Sequence, residues 1–588
     1  MNKTEKLICL LLGAGLAWYL FLEMPKEQKA RAEAAKAAAM AQQAKAAVPA
    51  AAAVKPAEPA PAAPVEAAPA PVEAVRPSEP EQTVVLENDE LKLELSSWGA
   101  VVKKATLKRY AKNAGAVSEE NPALVFDFAS APLGAIGGEP ALGVNAAYAV
   151  KSATETEAVF ACGEVVRKVT LGADYKVVYE ETFGTAKAVA NTLSLGAMRM
   201  GDSKNDLLSV DSMARDAGKG KPGVLHHCEG DSPLKAYLVG GLSGGCSGGS
   251  SAAGLPPSAN VKVAGAQTWI AAKNRFFVTA LASSTAETTG FDTTVARDVK
   301  AAKYRPDSVA VSAQFGELPA TRTSVFFVGP KKQSLLWDLG MKDVMEFGMW
   351  RWLCYPLVSV LNLFHGMIPN FGIAIILLTV LVRLLFWPLT HKSTVGMKKM
   401  QEIQPLMKEI QAKYKDNPQR LQQETWALYR DHKVNPMSSC LPMLIQIPVF
   451  IALFNVLRSA VELRYAPFLW IVDLSEPEGL FSSWFPFGGL NILPILMAVS
   501  TALQSYFTPS AGDKKQQQMM MVMMPAMMLF MFYSFPAALS LYWFLSNLIS
   551  IVQMWLIRRS TQKKPNLATM TADAIIDPPQ TRQMRRHQ

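Results

Sequence analysis

Histidine and cysteine are scarce in this chain of 588 residues, with six of each. The cysteines, Cys9, Cys162, Cys228, Cys246, Cys354 and Cys440, contain no Cys-x-x-Cys pair and are spaced too widely for a zinc ribbon. Only Cys228 and Cys246 share one Gly- and Ser-rich stretch, where a disulfide and two free thiols are both open readings. His226 and His227, beside Cys228, read as exposed loop histidines before they read as metal ligands. A Walker A motif is missing, as is any Ser/His/Asp or metal-ligand constellation, so no catalytic residue, cofactor or metal is expected. No DNA-reading motif occurs. Carboxylates are absent from every long apolar stretch, which argues against a proton- or ion-coupled transporter.

What the chain does have is apolar mass in the wrong place for a soluble protein. Half of its residues are hydrophobic (50%), the mean hydropathy is +0.13, and the apolar runs fall in one opening segment and in the last 240 residues. The net charge of +10 comes from Lys and Arg beside those runs and in the tail, which suits anionic lipid or ribosomal RNA. Leu7 to Leu22 is an uncharged run of 16 residues, about 24 Å of helix and near the lower limit for a span. Leu22-Glu23-Met24-Pro25 is not a small-x-small cleavage site, so the run reads as an uncleaved signal anchor.

Residues 26 to 81 are mostly Ala, Pro, Glu and Lys and read as an extended tether. From Thr83 the pattern turns to short β-branched runs: Thr83 to Leu86, Leu91 to Leu95, Lys176 to Thr182, Trp269 to Leu281, Val309 to Phe315 and Thr321 to Val328. Their density and Gly/Asn/Asp punctuation predict an antiparallel β-sandwich of roughly 250 residues. Spanning segments follow at Phe371 to Leu389, Cys440 to Leu457, Leu490 to Phe507, Met519 to Phe535 and Leu541 to Ile557.

Charge orients them. Residues 391 to 435 carry nine Lys/Arg against five Asp/Glu and belong in the cytoplasm, whereas 458 to 489 carry two basic and four acidic residues and belong outside. Lys514 and Lys515, and the tail with Arg558, Arg559, Lys563 and Lys564, fall inside. The alternation is consistent and places 24 to 370 outside. Gln333 to Phe364, with Trp350, Trp352 and Tyr355 but no spanning run, is expected to lie flat in the outer interface. Met397 to Val434 reads as a helical hairpin broken at Asp416-Asn417-Pro418.

Arg383 lies inside a span with Thr379 one turn earlier on the same face. An intramembrane arginine costs about 2.5–3.5 kcal/mol unless it snorkels to the headgroups or meets water, so a hydrated pocket open to the cytoplasm competes with plain snorkelling. Gln446 adds an amide on a second span. Trp543, Ser546, Asn547, Ser550 and Gln553 make a polar stripe on the last, which serves a positive groove or merely glues helices together. Met519 to Met531 holds eight methionines in thirteen residues, suited either to core filling or to contact with varied apolar partners.

From about Phe347 to Ile557 the chain resembles the YidC/Oxa/Alb insertase family in its bacterial form. The resemblance rests on Phe371-Gly372-Ile373-Ala374-Ile375 through Thr379, Arg383 and Pro388-Leu389-Thr390, then Lys413-Tyr414-Lys415-Asp416, Asn435-Pro436 and Cys440-Leu441-Pro442-Met443-Leu444-Ile445-Gln446-Ile447-Pro448-Val449-Phe450. It continues through Glu462-Leu463-Arg464, Ala466-Pro467-Phe468, Trp470, Asp473-Leu474, Pro494-Ile495-Leu496-Met497, Tyr542-Trp543, Asn547 and Gln553. Ser438-Ser439, where the family usually has Gly-Gly, departs from it. Trp269, Phe276-Phe277-Val278-Thr279-Ala280 and Val328-Gly329-Pro330-Lys331 resemble the Gram-negative members, whose outer domain is a supersandwich related to galactose mutarotase.

The resemblance implies a polytopic α-helical inner-membrane protein with six transmembrane helices, a five-helix insertase core and a large periplasmic antiparallel β-sandwich (supersandwich) domain. It implies a hydrophilic groove of Thr379, Arg383, Gln446, Trp543, Ser546 and Asn547, and an apolar slide of Leu444, Ile447, Phe450, Met531 and Phe535. Nascent membrane proteins would be its clients, membrane lipids its surroundings, and the Sec translocon and ribosome its partners, the ribosome through the hairpin and basic tail. The expected parts are a signal anchor at 1–23, a tether at 24–82, the β-domain at 83–332, interfacial helices at 333–368 and the second span at 369–390. A cytoplasmic hairpin at 391–437, spans three to six at 438–557 and the tail at 558–588 complete the order. A secondary transporter and a membrane-anchored sugar-binding protein are the rival readings.

Overall fold

The structure, a computed structural model, describes residues 80–115, 117–199, 208–215, 224–226, 259–297, 306–345, 347, 350–435, 441–481, 489–508 and 514–561. All belong to one compact unit, Ala74–Gln588. The expected first span and tether, Cys228, Cys246, His227, Cys440, the Ser438-Ser439 pair and the tail beyond 561 lie outside the described residues, as do the side chains of His226 and Leu444.

The N-terminal part is built from strands. In chain order they are β1 (Thr83–Glu87), β2 (Leu91–Ser96), β3 (Val101–Ala111), β4 (Ala123–Asp127), β5 (Ile136–Gly137), β6 (Ala149–Ala153), β7 (Glu157–Cys162), β8 (Val165–Leu171) and β9 (Lys176–Thr182). There follow β10 (Asn191–Arg199), β11 (Ser209–Ala214), β12 (Val224–His226), β13 (Ala259–Ala264), β14 (Gln267–Lys273), β15 (Phe277–Ser284), β16 (Thr288–Arg297), β17 (Pro306–Phe315) and β18 (Thr321–Pro330). They form three sheets ordered β1-β2-β3-β4, β13-β16-β17-β10-β5 and β12-β11-β14-β15-β18-β9-β8-β7-β6. Neighbouring strands pair antiparallel, as the short alternating runs predict.

Alternation explains the core and a costly feature within it. In β9, Val177, Tyr179 and Glu181 all point inward and are buried. Glu181 lies directly opposite Arg167 of β8 and Arg322 of β18 in the strand register. Arg167 Nε donates to Glu181 Oε1 at 2.9 Å and Arg322 Nε to Oε2 at 2.6 Å, so the buried carboxylate meets two guanidinium groups. One expectation needs correcting. Trp269 to Leu281 is not one strand but the hairpin β14–β15, because Asn274 Oδ1 accepts from the backbone N–H groups of Phe276 (3.1 Å) and Phe277 (2.8 Å) and turns the chain.

The helical part begins with α1 (Gln333–Asp338), a 3-10 turn (Lys342–Met345) and α2 (Arg351–Met367), whose buried face is Cys354, Leu357, Val358 and Leu361 at helical spacing. Then come α3 (Phe371–Glu402), α4 (Gln404–Lys413), α5 (Pro418–Asp431), α6 (Leu441–Ser459), α7 (Ile492–Phe507), α8 (Lys514–Phe532) and α9 (Ala537–Thr561). Asn370 caps α3 by accepting from Ile373 N at 3.1 Å, and Asn417 caps α5 from Arg420 N at 3.1 Å with Pro418 in the first turn. The expected break at 416–418 is therefore a cap. Helix α3 runs on past residue 390 to Glu402, so the start of the expected hairpin, Met397 to Glu402, continues the spanning helix, and the hairpin itself is α4 and α5.

Among the described residues, Phe371–Glu402 and Ala537–Ile557 are long and apolar enough to cross a membrane, and Gln446–Ser459, Ile492–Phe507 and Met521–Phe532 are shorter apolar helices. These fall at the five expected core segments. Helix α9 packs against α3 and α7, α7 against α8, and α2 against α3 and α6.

Candidate functional site

Arg383 stands 12 residues into α3, about 18 Å from its start. Its side chain is half-buried and turns toward α9, where Nε donates to Ser546 Oγ at 2.7 Å and Nη2 reaches the same oxygen. Among the described residues no carboxylate forms an ion pair with it. One helical turn before Ser546 on the same face of α9 is Tyr542, whose hydroxyl accepts from Gln446 Nε2 of α6 at 2.9 Å. Three apolar helices thus meet at a polar seam running Gln446, Tyr542, Ser546, Arg383. Further along α9, Gln553 Nε2 donates to Trp387 O of α3 at 3.4 Å, and Ser550 Oγ donates to Ser546 O at 2.8 Å.

The remaining expected groove residues divide by their partners. Thr379 is fully buried and its hydroxyl donates to Ile375 O at 2.7 Å, so it forms the wall of α3 beside the seam. Asn547 faces the other way: Nδ2 donates to Ser500 Oγ (3.0 Å) and Thr501 Oγ1 (2.9 Å) and joins α9 to α7. Trp543 also points off the seam, edge-on to Phe450 with ring centroids 5.0 Å apart and 5.4 Å from Phe532. Tyr542 takes the place given to Trp543. Tyr542 and Trp543 stand four and three residues before Ser546, so helical spacing alone admits either, and packing selects Tyr542.

Around Trp543 the aromatic rings close ranks. Phe450 contacts Phe532 (5.9 Å), Phe454 contacts Phe535 (5.7 Å), and Phe532 contacts Phe535 (4.9 Å). The cluster draws together α6, the end of α8 and α9, with Trp543 the chain neighbour of Tyr542 in the seam. Of the expected slide residues, Phe450 and Phe535 belong to this cluster and Met531 packs with them half-buried on the hydrophobic core, whereas Ile447 is 45% exposed. The methionine run is two-faced. Met528 and Met531 turn inward, while Met523, Met527 and Phe530, at helical spacing, are exposed.

A family model described as "60Kd inner membrane protein" matches residues 363–564, and one described as "YidC periplasmic domain" matches 252–360. The protein named membrane protein insertase YidC in Prosthecochloris aestuarii is 31% identical over 521 residues, covering 84% of this chain and 85% of that one. The chain belongs to the YidC membrane protein insertase family. The YidC relative from Syntrophobacter fumaroxidans is 42% identical over 301 residues, 50% of this chain and 54% of the relative, so there the chain spans about half the relative's length. The solved structure titled as an active YidC insertase with its first transmembrane domain resolved aligns at 18% identity over 81% of this chain and 92% of that one, with a TM-score of 0.33. The periplasmic-domain match covers β13 to β18 and the first helices, and the inner-membrane match covers the helical part from residue 363.

Proposed function

We propose that this chain inserts and folds integral membrane proteins of the inner membrane, taking a client's short polar outer segment into the Arg383 seam while the client's apolar helix leaves along α6 and α8. The observation that carries this reading is the seam itself: an arginine, a serine, a tyrosine and a glutamine joined across three apolar helices, with an aromatic cluster beside it and no carboxylate paired with Arg383 among the described residues. Such a site stays positive and holds water, so a polar segment enters it without meeting bare hydrocarbon. The client's apolar segment then partitions into lipid at about 0.8 kcal/mol per buried CH₂, and that burial supplies the drive without a nucleotide.

The reading includes six spans, a periplasmic β-domain and a cytoplasmic C-terminus. It also includes action alone or beside the Sec translocon, with the α4–α5 hairpin and the basic tail receiving the ribosome. The hairpin suits that role because neither of its helices has a fully buried residue and Trp426 is exposed on it.

The test is a charge series at Arg383 read on two clients that differ only in the charge of the outer segment, at matched levels of the insertase. Arg383→Lys keeps the field and retains most activity. Arg383→Glu reverses it and harms the client with the acidic segment most, and Arg383→Ala falls between. Losses equal for both clients would mean that Arg383 only supports the helix bundle.

A further inference from the structure

The loop between α6 and α7 displays bulky apolar side chains where water-exposed loops do not keep them. Leu469 has φ 53° and Phe481 φ 52°, the left-handed region that favours glycine or asparagine, and they are 75% and 64% exposed. Phe468 and Ile471 exchange both backbone hydrogen bonds at 2.9 Å, so Leu469 and Trp470 form a two-residue turn whose first position normally takes glycine. In water a leucine there is penalised twice, by backbone strain and by exposure.

The turn is held at a defined level. Phe468 lies so close over Gly372, in the first turn of α3, that a Cβ there would stand 2.1 Å from its ring. Trp470 Nε1 donates to Glu478 Oε2 at 2.9 Å, and the same carboxylate accepts from the N–H groups of Ile492 (3.0 Å) and Leu493 (2.5 Å) at the start of α7. The tip is therefore tied to the first turns of two apolar helices, where their apolar bodies begin. The segment 466–472 contains no charged residue, and Val472 beside it is 61% exposed. Leu363 and Met367, on the end of α2 that leads into α3, are likewise 61% and 70% exposed.

We propose that this loop is a lipid anchor, with Leu469, Trp470, Val472 and Phe481 seated at the headgroup–acyl boundary of the outer leaflet and the end of α2 beside them. Burial in acyl chains removes the exposure penalty that the fold leaves standing, and the indole lies where its N–H stays polar-paired and its ring is apolar. The anchor holds the outer ends of α3 and α7 at fixed depth. It rests on the spanning topology of the proposed function.

The experiment places a benzophenone amino acid at 469 or 481 in the full chain in inner-membrane vesicles, irradiates, and weighs phospholipid adducts by mass spectrometry. Leu384, exposed on α3, reports the spanning reading, and Val85, exposed on β1, reports background. Positions 469 and 481 should label within about twofold of Leu384 and about tenfold above Val85. Background labelling at 469 and 481 with strong labelling at Leu384, or capture of a protein in place of lipid, overturns the anchor alone. Background labelling at Leu384 overturns the spanning topology and the anchor with it. In a second arm the probe sits at Val472 and Leu469→Asn, which tolerates the left-handed turn, removes the apolar tip. The lipid adduct at 472 should fall at least about threefold; an unchanged adduct means that Leu469 holds nothing in the bilayer.

Discussion

Glu181 shows how a single inward-facing charge is made tolerable. Burial pushes its carboxyl up, but the Coulombic pull of Arg322 and Arg167 and their hydrogen bonds outweigh that and hold it below the usual carboxylate range. A depressed folded-state value means that the stabilisation is fully present above the ordinary glutamate value of 4.5 and is lost as pH falls through the folded-state value. Pulse hydrogen exchange after acid incubation of the whole protein should therefore show β8, β9 and β18 losing protection together below that point. Glu181→Gln cannot titrate, so its profile should be flatter, at a loss of about 3–5 kcal/mol at neutral pH from leaving two buried arginines underpaired. At the seam, Tyr542→Phe and Gln446→Ala each remove one end of the same hydrogen bond. Each should lower stability by about 1–2 kcal/mol and the double substitution by little more than either, which a double-mutant cycle of thermal unfolding reads directly.

Between elements, the distinction that matters is which apolar surface faces a client and which faces lipid. Met531 of α8 packs half-buried on the hydrophobic core and Ile447 of α6 is 45% exposed, whereas Val499 of α7, at 61%, is the most accessible of the three. Photoreactive groups at Ile447 and Met531 should nevertheless crosslink nascent spans of unrelated sequence, with much weaker labelling from Val499. Labelling that follows exposure instead would reduce the slide to chance encounters at the lipid face. The contact between α3 and the loop joining α6 to α7 has its own test. A methyl at Gly372 meets the Phe468 ring at 2.1 Å, so Gly372→Ala should cost about 1–3 kcal/mol as the loop is forced off the helix, seen as a lower melting temperature and faster exchange across 466–474.

The periplasmic domain is fastened to the helical part by arginines that meet backbone oxygens. Arg275, in the β14–β15 turn, donates through Nε to Arg458 O at 2.8 Å and through Nη2 to Ser475 O at 2.6 Å, and pairs with Glu476. Arg464 Nη1 donates to Ala111 O at 2.9 Å, and the Tyr465 hydroxyl to Lys112 O at 2.8 Å. The same loop accepts from the start of α9, with Ala537 N to Glu476 O and Ala538 N to Leu474 O both at 2.9 Å. Arg275 thus reaches the helix that carries Tyr542 and Ser546 through one short loop. Arg275→Met should loosen the junction by about 2–3 kcal/mol, with protease cuts and exchange rising in both 458–478 and 272–278. Changes confined to the β-domain would mean that the junction is not a shared unit.

Much of this was legible without coordinates. Apolar run length marks the five core helices and alternation marks the strands, because each depends on a residue's neighbours within a turn or two of chain. Arg383 stood out for the same reason, as a charge that its own span cannot satisfy. What the sequence could not decide was which neighbours meet across helices. Tyr542 and not Trp543 joins the seam, Asn547 serves α7, and one apparent strand folds back at Asn274. Those outcomes depend on helix rotation and on side-chain partners up to 163 residues away, as with Arg383 and Ser546, and only packing in three dimensions sets them.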